Sequence, residues 1–394
     1  MQLTGIIRST LSLTLVSAAL AACADAPAPT APLSENALAV SSSRVPDGYA
    51  SETDRGGAVY TLTNAVDGNA VVAFHRSADG SLTRIGTFAA GGRGIGGTTD
   101  PLVSQYSVVL SAQHDALFAV NAGSDQLSGF RVNADGSLQL ASVVSSGGGR
   151  PISIAVHDNL LYVLNGADNQ LAGFRITGEA RLVRLPNSGR PLPANANGAA
   201  AVRFTPDGRF LVVSERVSNR LDVFPVEASG RLGEAVVSPA SGSASFGFDI
   251  TSRNQAIVSE TQGSVSSYAL GSDGAATPIT ASISTGGNAP CWVIITSDGD
   301  FAYSTNAGSG TIAGFTVAPD GRLTAITPGA PTGDVGAGAG PIDLDQVGGR
   351  LLYTLDGGRG AISTFVIAKD GRLTRGGDAT VGAAASGLQG LAAY

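Results

Sequence analysis

The chain has 394 residues, of which 43% are hydrophobic and 14% charged, with 54 glycines and a formal net charge of −7. That composition excludes a disordered polymer and permits a large buried core. An acidic chain offers no basic field to a phosphate backbone, so nucleic acid is excluded as a partner, and the glycine excess implies many tight turns.

At the N-terminus, Arg8 precedes the apolar run LSLTLVSAALAA (11–22), which ends in the tetrad Leu20-Ala21-Ala22-Cys23. The run is shorter than the roughly 20 residues that cross a bilayer and fits a bacterial secretory signal. Its end resembles the lipobox of exported lipoproteins, which implies that Cys23 is lipidated and opens the mature chain. A plain cleavage site near Ala19-Leu20-Ala21 is the other reading. Residues 1–22 are then a signal peptide, 23–46 an Ala/Pro/Ser tether with nothing to pack, and 47–394 the folded part. This places the protein in the bacterial cell envelope, touching membrane only through its anchor. With Cys23 and Cys291 the only cysteines, a disulfide framework is excluded, and lipid on Cys23 would leave Cys291 without a partner.

From residue 59 onward the chain repeats itself. The stretches NAVDGNAVVAFHRSADGSL (64–82), NAGSDQLSGFRVNADGSL (121–138) and NAGSGTIAGFTVAPDGRL (306–323) align, as do NGADNQLAGFRITGEARL (165–182) and DGGRGAISTFVIAKDGRL (356–373). Aromatic anchors fall at Phe74, Phe130, Phe174, Phe224, Tyr268, Phe315 and Phe365, about 48 residues apart on average. Each unit holds four short apolar or alternating runs; in the third they are ISIAVH (152–157), LLYVLN (160–165), QLAGFRI (170–176) and ARLVRL (180–185). Four antiparallel strands at this period describe the blade of a β-propeller, and the fold class is all-β. There are seven second strands. Innermost strands also number seven if the C-terminal LQGLAAY (388–394) completes the first blade, which lacks one of its own. The ring is then closed by the last strand, which removes a sheet edge.

Asp-Gly steps (79–80, 135–136, 273–274, 320–321 and 370–371) fall between third and fourth strands, where they read as hairpin turns needing positive φ. The ends of the second strands differ: Asn64, Asn121, Asn165, Glu215, Glu260, Asn306 and Asp356 form a series of equivalent positions on the face where one blade leads into the next. In propellers that face surrounds the central pocket. Four amides and three carboxylates there suit a polyol or a hard cation such as calcium, although no cofactor is required by any motif. The competing reading is that these residues only cap strand ends.

GAAAVRFTPDGRFLVVSERVSNRLDVF (198–224) and APCWVIITSDGDFAYSTNAGSGTIAGF (289–315) resemble the seven-bladed lactonase propellers, the group of bacterial 6-phosphogluconolactonases and fungal carboxymuconate lactonising enzymes. Phe204, Pro206, Asp207, Gly208 and Glu215 match the family repeat. Its Pro-Arg-His slot holds Ala199-Ala200-Ala201 in blade four, Pro290-Cys291-Trp292 in blade six and Pro151-Ile152-Ser153 in blade three, so the family's pocket histidine has no counterpart. His75, His114 and His157 lie elsewhere, the last two at turns on the opposite face. The resemblance implies a lactonase-like hydrolase of a cyclic ester, and the N-terminal signal an exported one; without the pocket histidine, Glu215 or Glu260 would be the general base, with Arg203 or Arg150 and the ring amides stabilising the oxyanion and Arg203 pairing with Glu215. Asn121, Asn165, Asn306, Asp356, Arg150, Trp292 and Asp343 would bind substrate, with no metal required. The alternative is a non-catalytic propeller that binds a carbohydrate, peptide or envelope protein on its polar face. A monomer is expected either way.

Overall fold

The computed structural model describes residues 56–394; the signal, the tether and Cys23 lie outside them. Seven antiparallel sheets follow one another around a ring. Blade two runs through strands Val108–Leu110, Ala116–Asn121, Gln126–Val132 and Leu138–Ser145, and the other blades repeat the order from the centre outward. The third and sixth blades each have a broken outermost strand: Arg181–Arg184 and Arg190–Pro191 both pair with Gln170–Thr177, and Leu323–Ala325 and Gly333–Asp334 both pair with Thr311–Val317.

The C-terminal strand Gln389–Ala393 pairs antiparallel with Gly57–Leu62 and completes blade one, as the strand tally requires. Buried Arg76 locks this closure, its Nε donating to the Tyr394 carbonyl at 2.8 Å.

Second and third strands are buried on both faces because each blade packs between two neighbours, which is why they read as continuous apolar runs. The hairpin turns between third and fourth strands also bond to the neighbouring blade. Gly136 has φ of 78°, a conformation that only glycine adopts cheaply, and its carbonyl accepts a 2.9 Å bond from the Tyr60 hydroxyl of blade one. Tyr162, Tyr303 and Tyr353 reach Gly230, Gly371 and Gly80 in the same way. Burial raises all four phenols, Tyr162 to about 12, so they stay protonated donors.

Candidate functional site

The polar ends of the second strands do not surround an open pocket. Asn121, Asn165, Glu215, Glu260, Asn306 and Asp356 are fully buried, and Asn64 nearly so. Their side chains are turned toward the segment that enters each blade. Glu260 accepts from the Gly242 N–H at 2.7 Å and from the hydroxyls of Ser264, Ser266 and Ser282. Gly242 has no side chain because a Cβ there would overlap the Glu260 carboxylate. Gly92, Gly148 and Gly287 make the same close approach to Asn121, Asn165 and Asn306. Asn121 donates to Ser128 and accepts from Asn69; Asn306 donates to Thr311; Asp356 accepts from Thr354 and Ser363, and burial lifts its carboxyl to about 7. This ring of positions is a set of staples, the reading in which Asn and Asp satisfy local backbone and hydroxyl groups. Among the described residues, no group of three or more His, Cys, Asp or Glu is placed to hold a metal ion.

The expected Arg203–Glu215 pair is not formed. Glu215 pairs across the sheet with Ala199, while Arg203 faces Val212. Four residues of extended strand, roughly 13 Å, separate the two. Glu215 instead takes Arg220 at 3.0 Å, the Asn197 N–H at 2.9 Å and the Ser218 hydroxyl. Burial acts to raise its carboxyl, and the hydrogen bonds from Asp222, Ser218, Asn197 and Arg220 outweigh that and hold it low. The cost falls on Asp222, which burial and its carboxylate neighbour push up to about 8.

The centre of the ring on this side is filled by the chain itself. The segment from blade one into blade two spans residues 90–107, against 146–150, 192–198, 240–244, 285–289, 335–340 and 381–388 elsewhere. Its second half crosses the axis. Ser104 Oγ donates to Ile152, the Gln105 N–H to Ala200, Gln105 Nε2 to Val293, and the Tyr106 hydroxyl to Phe248, so blades three to six all hold it. Asp100, Val103 and Tyr106 have positive φ, the backbone cost of so tight a path. The plug shortens the innermost strand expected over 106–111 to Val108–Leu110. Trp292 belongs to the plug's anchorage, its Nε1 donating to the Ser104 carbonyl at 2.9 Å. Asp343, also buried, accepts from the Leu344 and Leu391 N–H groups, and burial pushes its carboxyl well up. Arg150 is exposed at the rim. The length and glycine content of 90–107 were the available signal for the plug.

The opposite mouth is open. Three adjoining cavities of about 360, 290 and 210 Å³ share Arg203. They are lined by a second set of equivalent positions, one per innermost strand: Val109, Ala155, Arg203, Asp249, Ile294, Asp345 and Ala392. Each faces the third residue from the start of its second strand, or its counterpart Tyr60 in blade one. Arg203 Nε donates to Asp249 Oδ1 at 2.7 Å, and its guanidinium lies 4.7 Å from the centre of the Tyr106 ring. Asp249 Oδ2 accepts from Ile295 and Asp345 Oδ2 from Ala393, each bond crossing to the next blade. Burial raises the Asp345 carboxyl to about 7, against the lowering effect of its two backbone N–H donors and of Arg203.

Of the residues expected to bind or react, only Arg203 reaches this mouth. Asp249 and Asp345 were missed, although IDLDQV (342–347) places Asp345 two residues from Asp343 and so on the same strand face. His114, stacked on Tyr394 at 4.8 Å, and His157 border the cavities. Cys291 is fully buried in the core between blades, which gives it no access to a substrate at either mouth.

Solved structures share this architecture. A Bacteroides fragilis protein provisionally named a 6-phosphogluconolactonase aligns at 18% identity and a TM-score of 0.69, over 88% of this chain and 100% of its own. The periplasmic gluconolactonase of Pseudomonas aeruginosa aligns at 18% identity and 0.65, over 84% and 98%. A Lactobacillus plantarum protein aligns at 18% and 0.68, over 86% and 99%. At such identity the likeness concerns the fold. No curated protein matches the chain. Residues 68–262, a little under half of the chain, match the family model described as lactonase, 7-bladed beta-propeller, and the chain closes the same ring of seven four-stranded blades.

Proposed function

We propose that the chain is a lactonase-like hydrolase of a small cyclic ester and that it works at the open mouth, on the face opposite the plug. The observation that carries this reading is that Arg203 and Asp345 line one cavity of about 360 Å³. A carboxyl that titrates near 7 suits a general base at neutral pH. In the proposed reaction Asp345 takes a proton from water as the oxygen adds to the ester carbonyl. Arg203 stabilises the oxyanion that forms. Collapse breaks the ring C–O bond, and the proton returns to the departing alkoxide, leaving a hydroxy acid.

Assays of a lactone panel test this. Arg203→Gln and Asp345→Asn are each expected to lower kcat/KM by about 100-fold, and Glu215→Gln to leave turnover per folded molecule in place. Loss confined to Glu215→Gln would overturn the assignment. A second reading, binding of a carbohydrate, peptide or envelope protein without turnover, is supported by Arg203 already being paired with Asp249 at 2.7 Å; it takes over if no lactone is hydrolysed with or without EDTA.

Export is part of the proposal. Its support is the apolar run 11–22 ending at Cys23, and the fact that one structural neighbour is described as periplasmic. Mass analysis of the mature N-terminus decides between lipid on Cys23 and plain cleavage, and an uncleaved Met1 in the cytosolic fraction would refute both.

A further inference from the structure

The charge and lining of the open mouth narrow the substrate class. Of the seven equivalent positions around it, Val109, Ala155, Ile294 and Ala392 carry hydrocarbon side chains, beside the uncharged polar groups of Ser111, Ser297 and Gln346 in the largest cavity. Leu344 and Leu391 extend that wall in the largest cavity. Among the described residues, Arg203 is the one Arg or Lys lining any of the three cavities, and its charge is matched by Asp249 at 2.7 Å. Asp345 adds a second carboxyl. A phosphate or carboxylate on the substrate would therefore meet a neutral or negative site and surrender its hydration with no unmatched permanent cation to replace it.

We propose that the substrate is an uncharged lactone with an alkyl or aryl substituent lying against the Val109, Ile294 and Leu391 wall, and that phosphorylated sugar lactones are poor substrates. This rests on the hydrolase reading above. Substituent burial then drives binding, with about fourfold in affinity for each methylene covered, and the ester carbonyl is directed to Arg203.

The experiment uses the full-length protein and the series δ-valerolactone, δ-hexalactone, δ-octalactone and δ-decalactone, with glucono-δ-lactone and 6-phosphogluconolactone for comparison. kcat/KM is expected to climb with chain length until the cavity fills, and 6-phosphogluconolactone to fall about 100-fold below the best alkyl lactone. Ser297, exposed at the rim of the largest cavity, provides a complementary arm: Ser297→Arg adds a cation and is expected to raise turnover of the phosphorylated lactone about tenfold. A flat alkyl series, or preference of the wild type for the phosphorylated substrate, overturns the class assignment. If no lactone is hydrolysed, the hydrolase reading fails separately. Calorimetry with the matching alkyl lactams and with 6-phosphogluconate then reads the class alone: tighter binding of the longer lactam supports it, and tighter binding of phosphogluconate, or of neither, refutes it.

Discussion

Two rings of seven equivalent positions lie at opposite ends of the channel, and both contain carboxylates. At the plugged end Glu215 and Glu260 are fully buried, with their oxygens filled by donors from their own blade and its entering segment. At the open end Asp345 accepts two backbone N–H groups and still borders a cavity shared with Arg203. Residue type is therefore a poor guide to role here. A carboxylate saturated by its neighbours is a staple, whereas one that keeps a face toward solvent-accessible space can act on a ligand.

The most severe break would come from the closure that holds both rings. Removal of residues 386–394 deletes the innermost strand of blade one and one backbone donor each to Asp343 and Asp345, and is expected to abolish cooperative unfolding. An unchanged melting curve would show that the ring does not depend on this strand.

Next in size is a paired substitution that separates the ends. Glu260→Ala strands the Gly242 N–H and three serine hydroxyls and should cost about 3 kcal/mol or more in denaturant unfolding, without loss of lactone turnover per folded molecule. Arg203→Ala takes a part-exposed cation from buried Asp249, which keeps its Ile250 and Ile295 N–H donors, and should cost about 1–3 kcal/mol while turnover collapses. The reverse pattern would exchange the roles assigned to the two rings.

A pH series sharpens the contrast. Asp345 titrates near 7 when folded, above its ordinary value of 3.8, so the folded chain holds the proton more tightly. Its contribution is most favourable below about 4 and is lost as pH rises toward 7. Asp356 near 7 and Asp222 near 8 act in the same direction. Unfolding midpoints should fall between about pH 4 and 8, and Asp345→Asn should flatten part of that slope. In the same interval kcat/KM should increase through about pH 7 as Asp345 ionises; a rate that is level from pH 5 to 8 would remove Asp345 as the base.

The smallest effect expected is at the plug. Trp292→Phe keeps a ring beside Phe246 but loses the bond to the Ser104 carbonyl and part of a fully buried side chain, for about 1–2 kcal/mol. Stability unchanged to a few tenths of that figure would mean that the plug is held by its other bonds alone.

Much of the architecture was legible because it depends on local pattern. Period-two runs, Asp-Gly turns and the repeat specify four-stranded blades and their number, since pairing within a blade and turn φ depend on residues near in sequence, and the strand tally leaves LQGLAAY (388–394) to close the ring. Arg203 stood out for the same reason, as a charge in an apolar strand. What only the tertiary structure decided was which end of the channel is open. Residues 104–106 find their partners on blades three to six, so the plug exists only after those blades have assembled. Spacing could group Asn121 with its six counterparts, yet whether that ring meets a ligand or the chain's own backbone depends on contacts between segments far apart in sequence.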